Sequence, residues 1–316
     1  MEERLSARLE RKAGLPGLVE GLVDRLSGSD LNSLLLEVYR RKATKIDAAE
    51  LLAQYRNNRL VQPSEIDMIG LLELELQVLR YLRDYGFHAV ELSPAAQFGS
   101  CSAVATVDQQ KVISAVRNTE IMADATNALA LHIAATVRAT GDRNALNRLC
   151  TVHRHIRTQP FPAGYFPHFK IGCMVSSGLD VGGYGFECGE LLEQLRVLFG
   201  LLHAEMGLGS LRLVLRRRGG YDERNPLIDR VYAHLVRALP DETIELEDAP
   251  ADNSYYKGLQ FKLFAHTDER VWEIADGGFV DWTQQLLGNR KERLLISGFG
   301  LEWLYKIKNP ALIARG

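Results

Sequence analysis

The segment LCTVHRHIRTQP, residues 149–160, predicts a strand that runs into a loop. Residues 169–176, FKIGCMVS, predict a second strand that returns beside the first. Both stretches are rich in apolar and β-branched residues, as strands usually are. The sequence therefore predicts a hairpin, with Arg157 at the end of its first strand and His168 in the loop.

Single helices and strands are interspersed around this hairpin. Residues 65–85 predict a long amphipathic helix, with Leu72, Leu76, Leu79 and Leu82 on its buried side. Further helices are predicted at 123–138, 188–206, 225–239 and 279–287, and further strands at 87–92, 103–107, 211–216, 258–265, 272–275 and 294–297. Because the strands often follow one another directly, we expect an α+β fold with an antiparallel or mixed sheet.

The N-terminal region has a different pattern from the rest. Helical spacing of apolar residues continues almost to residue 58, and Ser29 and Asp30 are interpreted as a cap between two helices. A break at residues 62–64 ends this pattern. We therefore divide the chain into a helical extension at 1–62 and a core at 63–316.

Composition and charge argue against several classes of protein. The chain has 316 residues, is 46% hydrophobic and carries a formal net charge of −2. No apolar stretch reaches the ~20 residues of a membrane span, and the charged N-terminus has no apolar signal core. Four cysteines without a C-x-x-C pair are typical of reduced thiols. We expect a cytoplasmic protein that does not bind membranes. The basic run 216–218 is interpreted as a solvated strand end, with an RNA contact as the alternative.

Metal-ligating side chains occur in and near the hairpin. They are His153, His155, His168 and Cys173. Two histidines two residues apart share a strand face, which would suit zinc. No second ligand pair stands at a usual spacing, so we expect no bound metal.

An acidic and a hydroxyl side chain stand at the start of the helix predicted at 123–138. Asp124 and Thr126 are separated by one residue, so their oxygens can converge on a single cation. The alternative is that they only cap the helix.

Two later segments contain residue types that suit a ligand pocket. Tyr255 and Tyr256 lead into the strand predicted at 258–265, and Gly277 and Gly278 precede a predicted helix. Adjacent tyrosines in a strand usually point to opposite faces. A glycine pair either lets the backbone approach a ligand closely or makes a turn.

The order of these segments resembles that of class II aminoacyl-tRNA synthetases, the histidyl type in particular. Residues 71–94 resemble the family's motif 1, the hairpin resembles motif 2, and residues 296–304, ISGFGLEWL, resemble motif 3. The resemblance implies an antiparallel sheet flanked by helices. It also implies a homodimer formed through residues 71–94.

The resemblance further implies roles for single residues. Arg157 would clamp the α-phosphate of ATP and stabilise the charge that develops during adenylation, with Gln159, Glu302 and Trp303 beside the nucleotide. The implied substrate contacts are Asp124, Thr126, His168, Lys170, Tyr255, Tyr256, Gly277 and Gly278. ATP and Mg²⁺ are the implied cofactors.

The sequence departs from the family pattern where cationic groups are needed. Trp303 stands where the family has an arginine on the γ-phosphate, and Ala251 stands where it has one on the reacting carboxylate. Losing one such contact typically costs about 3 kcal/mol of transition-state stabilisation. Arg154, Lys170 or Lys257 are the candidates to compensate. The positions that contact histidine in the family are also changed, to Ile171 and Val175.

Three functions remain open at this stage. The first is a synthetase paralogue that binds an amino acid or a related small molecule without charging tRNA. Its nearest precedent is the regulatory subunit of ATP phosphoribosyltransferase, which implies a protein partner. We expect no tRNA charging, because about a dozen residues follow motif 3 and no anticodon-binding domain fits there. The second is a stand-alone ATP-dependent amino-acid ligase, with Lys170 or Lys257 facing the nucleotide. The third is a structural interaction module, which the retained pocket residues disfavour.

Overall fold

A sheet of eight strands, flanked by helices, forms the centre of the protein. The computed structural model describes residues 5–161, 166–221, 227–247, 255–267 and 270–309. The strands are β1 (His88–Ala89), β2 (Ala95–Gln97), β3 (Ser114–Ala115), β4 (Thr119–Ile121), β5 (Asn147–Ile156), β6 (His168–Leu179), β7 (Leu211–Arg217), β8 (Thr243–Glu247), β9 (Lys257–His266), β10 (Val271–Val280) and β11 (Glu292–Gly300). The helices are α1 (Leu5–Ala13), α2 (Leu18–Asp24), α3 (Gly28–Ala43), α4 (Ala48–Asn57), α5 (Met68–Asp84), α6 (Ala125–Thr140), α7 (Gly185–Gly200), α8 (Leu227–Ala238), α9 (Trp282–Leu287) and α10 (Leu301–Lys308).

The strand order of the main sheet is β1-β5-β6-β11-β10-β9-β7-β8. The two edge strands β1 and β8 pair in parallel with their neighbours, and the inner pairs are antiparallel. A second sheet contains β2, β4 and β3. The predicted α+β fold with a largely antiparallel sheet is confirmed.

The predicted hairpin is β5 and β6, paired from Asn147 opposite Ser177 to Ile156 opposite His168. On its other side β6 pairs with β11, which places Gly172 opposite Phe299. A Cβ atom on Gly172 would overlap the Phe299 ring. The hairpin and the strand of the third motif are therefore packed tightly against each other, side by side in one sheet.

Helix α5 is the predicted long helix, and its buried side overlaps only in part with the predicted one, since Leu82 is buried and Leu79 partly buried as expected. Asp67 starts it by accepting hydrogen bonds from the N–H groups of Ile69 and Gly70. Its buried residues are Leu71, Leu74, Val78 and Leu82. Leu72 and Leu76 are 44% and 48% exposed, so the prediction that they face the core was wrong. The helix carries leucines on two faces, and spacing alone does not tell which of them meets the sheet.

The strand expected at 103–107 is absent, because residues Ser100–Val104 form a single turn of π-helix. The carboxylate of Glu120 explains this difference. It accepts hydrogen bonds from the backbone N–H groups of Gly99 and Cys101 and from the hydroxyl of Ser100. These hydrogen bonds to the Glu120 side chain replace those that the backbone would make to a neighbouring strand.

The glycine pair 277–278 lies inside β10 rather than before a helix. Added Cβ atoms would overlap the carbonyl oxygen of Ile296 and that of Leu259, respectively. The glycines therefore permit close strand packing in the sheet, and the predicted turn is replaced by a longer strand.

The N-terminal helices α1 to α4 are present as predicted, and none of them contains a buried residue. The cap of α3 is Ser27, whose hydroxyl accepts from the Asp30 N–H, and not Ser29 or Asp30. Asn32 contacts the core by accepting hydrogen bonds from the N–H groups of Arg117 and Asn118. The boundary at residue 62 stays a prediction. None of the helices that the structure describes is long and apolar enough to span a bilayer.

Candidate functional site

A cavity of about 450 Å³ opens over the middle of the sheet, between strands β5, β6, β9, β10 and β11 and the start of α6. We call this cavity the pocket. Its polar lining residues are Lys111, Asp124, Thr126, His155, Arg157, Gln159, Tyr255, Tyr256, Gln260, Glu273, Asp276 and Ser297. Apolar walls come mainly from Val107, Val112, Ile171, Ile296 and Phe299. This volume is in the range typical of small-molecule sites.

Asp124 is both the cap of α6 and a pocket residue. Its Oδ1 atom accepts hydrogen bonds from the N–H and the hydroxyl of Thr126, at 2.9 and 2.6 Å. Its Oδ2 atom accepts one from the hydroxyl of Tyr255, at 2.6 Å. The helix-capping interpretation is correct, but capping uses only one carboxylate oxygen. No lysine, arginine or histidine within the described ranges forms an ion pair with Asp124.

The two tyrosines face two different carboxylates. The hydroxyl of Tyr256 lies 3.1 Å from Oδ2 of Asp276, and the two tyrosine rings meet edge to face with centroids 4.8 Å apart. Burial raises the pKa of both Tyr255 and Tyr256 well above its usual value. Both hydroxyls therefore stay protonated and act as donors to the carboxylates.

His155 holds the start of α6 in place from beneath. Its side chain is 1% exposed, and Nε2 accepts a hydrogen bond from the N–H of Ala125 at 3.1 Å. Burial lowers the pKa of His155 to about 3, so the ring is neutral and its proton is on Nδ1. That Nδ1 atom has no hydrogen-bond partner among the residues that the structure describes.

Arg157 lies close to this helix start, on the wall of the pocket. Its Nε donates to the carbonyl oxygen of Ala123 at 3.2 Å, and its guanidinium group lies 5.6 Å from the Phe169 ring centroid. Gln159 and Lys111 also line the pocket. The pocket thus combines cationic groups with separate carboxylates, an arrangement that suits a ligand carrying charges of both signs.

Three predicted contacts belong to a neighbouring polar network outside the pocket lining. The Nε2 atom of His168 contacts the carbonyl oxygen of Gln62 at 2.6 Å. Lys170 forms an ion pair with Glu75 on α5. Glu302 forms one with Arg154, at 3.0 Å. This network joins the hairpin to α5 and α10.

Trp303 and Lys257 also lie outside the pocket lining. The Trp303 ring packs against that of Trp272, with centroids 5.1 Å apart. Lys257 lies 3.7 Å from Asp281. Of the three proposed compensating cations, Arg154 and Lys170 are committed to the polar network and Lys257 to Asp281. Ala251 lies outside the described residues.

The basic run also differs from expectation. Arg216 and Arg217 pair with Glu247 and Asp229, but Arg218 is buried and donates to Oε1 of Gln260 at 2.7 Å. The interpretation of the run as a solvated strand end was therefore wrong for Arg218. This arginine supports a pocket wall, because Gln260 lines the pocket.

The cysteines and histidines show no metal-binding arrangement within the described residues. Cys101 and Cys173 line the pocket, and burial raises the pKa of Cys101 to about 12 and that of Cys173 well above its usual range. Both are therefore thiols at neutral pH, and neither has the thiolate character of a nucleophile.

Sequence reasoning missed several pocket residues, among them Asp276, His155 and Lys111. Asp276 directly precedes the glycine pair that the sequence singled out, so its position was a usable signal. His155 was considered only as a metal ligand. Lys111 has no signal in the sequence, because it reaches the pocket from a short 3-10 turn, Gln109–Lys111, before β3.

Comparison with known proteins gives structural matches only. No protein-family model matches the sequence, and no curated protein matches it significantly. The ATP phosphoribosyltransferase regulatory subunit/histidyl-tRNA synthetase of Bacillus halodurans superposes with a TM-score of 0.61 at 12% identity, over 78% of this chain and 82% of that one. Apo histidyl-tRNA synthetase of S. aureus gives 0.57 at 15% identity, over 79% and 69%. A histidine–tRNA ligase subunit of Alicyclobacillus acidocaldarius gives 0.58 at 13% identity, over 79% and 96%. The chain therefore has the fold that these class II synthetase-like proteins share.

Proposed function

We propose that the pocket binds an amino acid, or a related small molecule, through an ammonium group placed against Asp124. The observation that carries this proposal is the Asp124 carboxylate. It accepts hydroxyl hydrogen bonds from Thr126 and Tyr255, and the described residues supply no cation to it. A carboxylate held in this way in a cavity is a ready partner for a ligand ammonium.

We further propose a sensing or regulatory role, exerted through a partner protein, rather than tRNA charging. Support comes from the two places where the resemblance puts an arginine on a reacting group. Trp303 and Ala251 stand there, and a tryptophan has no guanidinium fork. The structurally similar protein of Bacillus halodurans is described as an ATP phosphoribosyltransferase regulatory subunit/histidyl-tRNA synthetase. We also propose a homodimer through residues 71–94, because α5 exposes Leu72 and Leu76.

The proposed binding is tested by thermal unfolding of the wild type and of Asp124→Asn with a panel of amino acids. Asparagine also caps helices and has nearly the same shape, so the change removes charge and spares the fold. We expect a ligand to stabilise the wild type and to bind roughly 10- to 100-fold more weakly to Asp124→Asn. Asp47→Asn, at the exposed cap of α4, is the matched control. Equal stabilisation of wild type and Asp124→Asn would contradict the proposal.

The competing function is an ATP-dependent ligase that adenylates an amino acid. Arg157 and Lys111 favour it, because both line the pocket and suit a polyphosphate. Arg154, Lys170 and Lys257 were the candidates to replace the two missing arginines. All three form ion pairs outside the pocket lining, so none of them serves as a replacement there. Amino-acid-dependent pyrophosphate exchange with ATP separates the two functions. The regulatory proposal predicts no exchange. Exchange that Arg157→Ala abolishes and Arg196→Ala, an exposed control, preserves would establish the ligase instead.

A further inference from the structure

The pocket contains a second carboxylate that the proposed function does not use. Asp276 lies in β10, opposite Gly298 of β11 and Lys262 of β9. Its side chain lies deep in the protein but is only partly shielded from solvent, because the pocket reaches it. Tyr256 is its hydrogen-bond donor, as Tyr255 is for Asp124.

Neither carboxylate forms an ion pair with a cation in the part of the chain that the structure describes. Lys262, the cross-strand neighbour of Asp276, is bound to Glu273 through two contacts of 2.7 Å. Arg157 donates to the Ala123 carbonyl. Burial raises the pKa of Asp276, the Tyr256 hydrogen bond lowers it, Glu273 raises it, and the charges of Lys262 and Arg157 lower it. A cationic ligand group in contact with Asp276 would offset the remaining cost of burying this charge.

Both carboxylates line the same pocket, together with the Cys173 thiol. Since their two tyrosine partners are adjacent in the chain and in contact, one small molecule can reach both carboxylates.

An independent observation points to a ligand that also carries an acceptor. His155 lines the same pocket, is 1% exposed, and has an Nδ1–H donor without a partner among the described residues. A buried donor without an acceptor is costly, so a ligand acceptor is expected near it. A carboxylate on the ligand would supply that acceptor.

We propose that the pocket selects a basic amino acid, with its α-ammonium at Asp124 and its side-chain cation at Asp276. This inference rests on the proposed function, since it assigns the second charge of the same ligand. Asp276 is then the residue that sets specificity, and Asp124 is the residue required for any amino acid.

The test compares lysine with norleucine, which has the same chain without the terminal nitrogen, by titration calorimetry on the full-length protein. We expect the wild type to bind lysine at least about 10-fold more tightly than norleucine. Asp276→Asn should abolish this difference and retain norleucine binding. Asp281→Asn, a carboxylate outside the pocket lining, is the control and should keep the difference. Thermal unfolding without ligand shows whether each variant is folded.

The outcomes separate this inference from the proposed function. Equal affinity of the wild type for lysine and norleucine overturns the inference and leaves the proposed function standing. This comparison uses the wild type alone, so it does not depend on whether a variant folds. Absence of binding for both, and for the rest of an amino-acid panel, overturns the proposed function. Cadaverine, which has both ammonium groups but no carboxylate, should bind more weakly than lysine. Equal affinity for cadaverine would overturn the assignment to an amino acid.

Discussion

Asp124 has two tasks that use different atoms. Oδ1 caps α6, and Oδ2 faces the Tyr255 hydroxyl. The sequence indicated both tasks as alternatives, because an acid two residues before a threonine suits a cap as well as a cation. Only the structure shows that the two are compatible, since Oδ1 is bound by Thr126 and Oδ2 by a tyrosine 131 residues away.

His155 should make the stability of the protein depend on pH. Its pKa is lowered by burial to about 3, whereas an unfolded chain binds this proton near pH 6.5. Between these values the unfolded state holds more protons than the folded state, so stability decreases as pH falls. The contribution is up to about 1.4 kcal/mol per pH unit.

Urea unfolding between pH 7 and pH 4 measures this effect. We expect His155→Gln to give a flatter dependence of the unfolding free energy on pH than the wild type. His132→Gln changes an exposed histidine and serves as the control. A wild-type slope unchanged in His155→Gln would show that this histidine is not buried in its neutral form.

At the scale of the element, α5 shows what an amphipathic pattern can and cannot predict. The helix and its approximate length were predicted correctly. Its buried side was predicted only in part, because leucines occupy two faces and the choice between Leu71 and Leu74 on one face and Leu72 and Leu76 on the other depends on contacts with β5 and α10. The exposed leucines therefore form an apolar strip on the segment for which the resemblance implies a dimer interface.

The strip predicts the effect of a double substitution. Leu72→Lys with Leu76→Lys places two charges where a partner copy would bury apolar side chains, so we expect a shift from dimer to monomer. Analytical ultracentrifugation measures the shift. Val236→Lys, on the exposed face of α8, changes an apolar residue of similar exposure and should leave the dimer intact. A wild type that sediments as a monomer would contradict the proposed dimer.

The strands of the main sheet were predicted better than the short elements. Strands β5, β6, β7, β9 and β11 were all indicated by runs of apolar residues. The strands β2, β3, β4 and β8 were missed, because they are short and β8 is almost entirely exposed. Where Glu120 accepts hydrogen bonds from the backbone N–H groups of Gly99 and Cys101, a contact across about 20 residues overrides the local strand pattern.

For the molecule as a whole, the fold was predicted from the order of the segments along the sequence. The hairpin, Asp276 and the last strand-to-helix turn are far apart in sequence, and the sheet brings them to one pocket, whereas Gly277 and Gly278 lie outside its lining. Six of the predicted site residues line it: Asp124, Thr126, Arg157, Gln159, Tyr255 and Tyr256. His168, Lys170 and Glu302 lie in the neighbouring polar network, where their partners are Gln62, Glu75 and Arg154. No sequence motif indicates these partners, because they depend on how α5 and α10 pack against the hairpin.

The proposed recognition of an ammonium group at Asp124 can be tested by titration calorimetry of the wild type. The two ligands are the amino acid that stabilises the protein most and the same compound without its α-amino group. We expect saturable one-to-one binding of the amino acid and at least about 10-fold weaker binding of the deaminated compound. Equal affinity for the two compounds would contradict it.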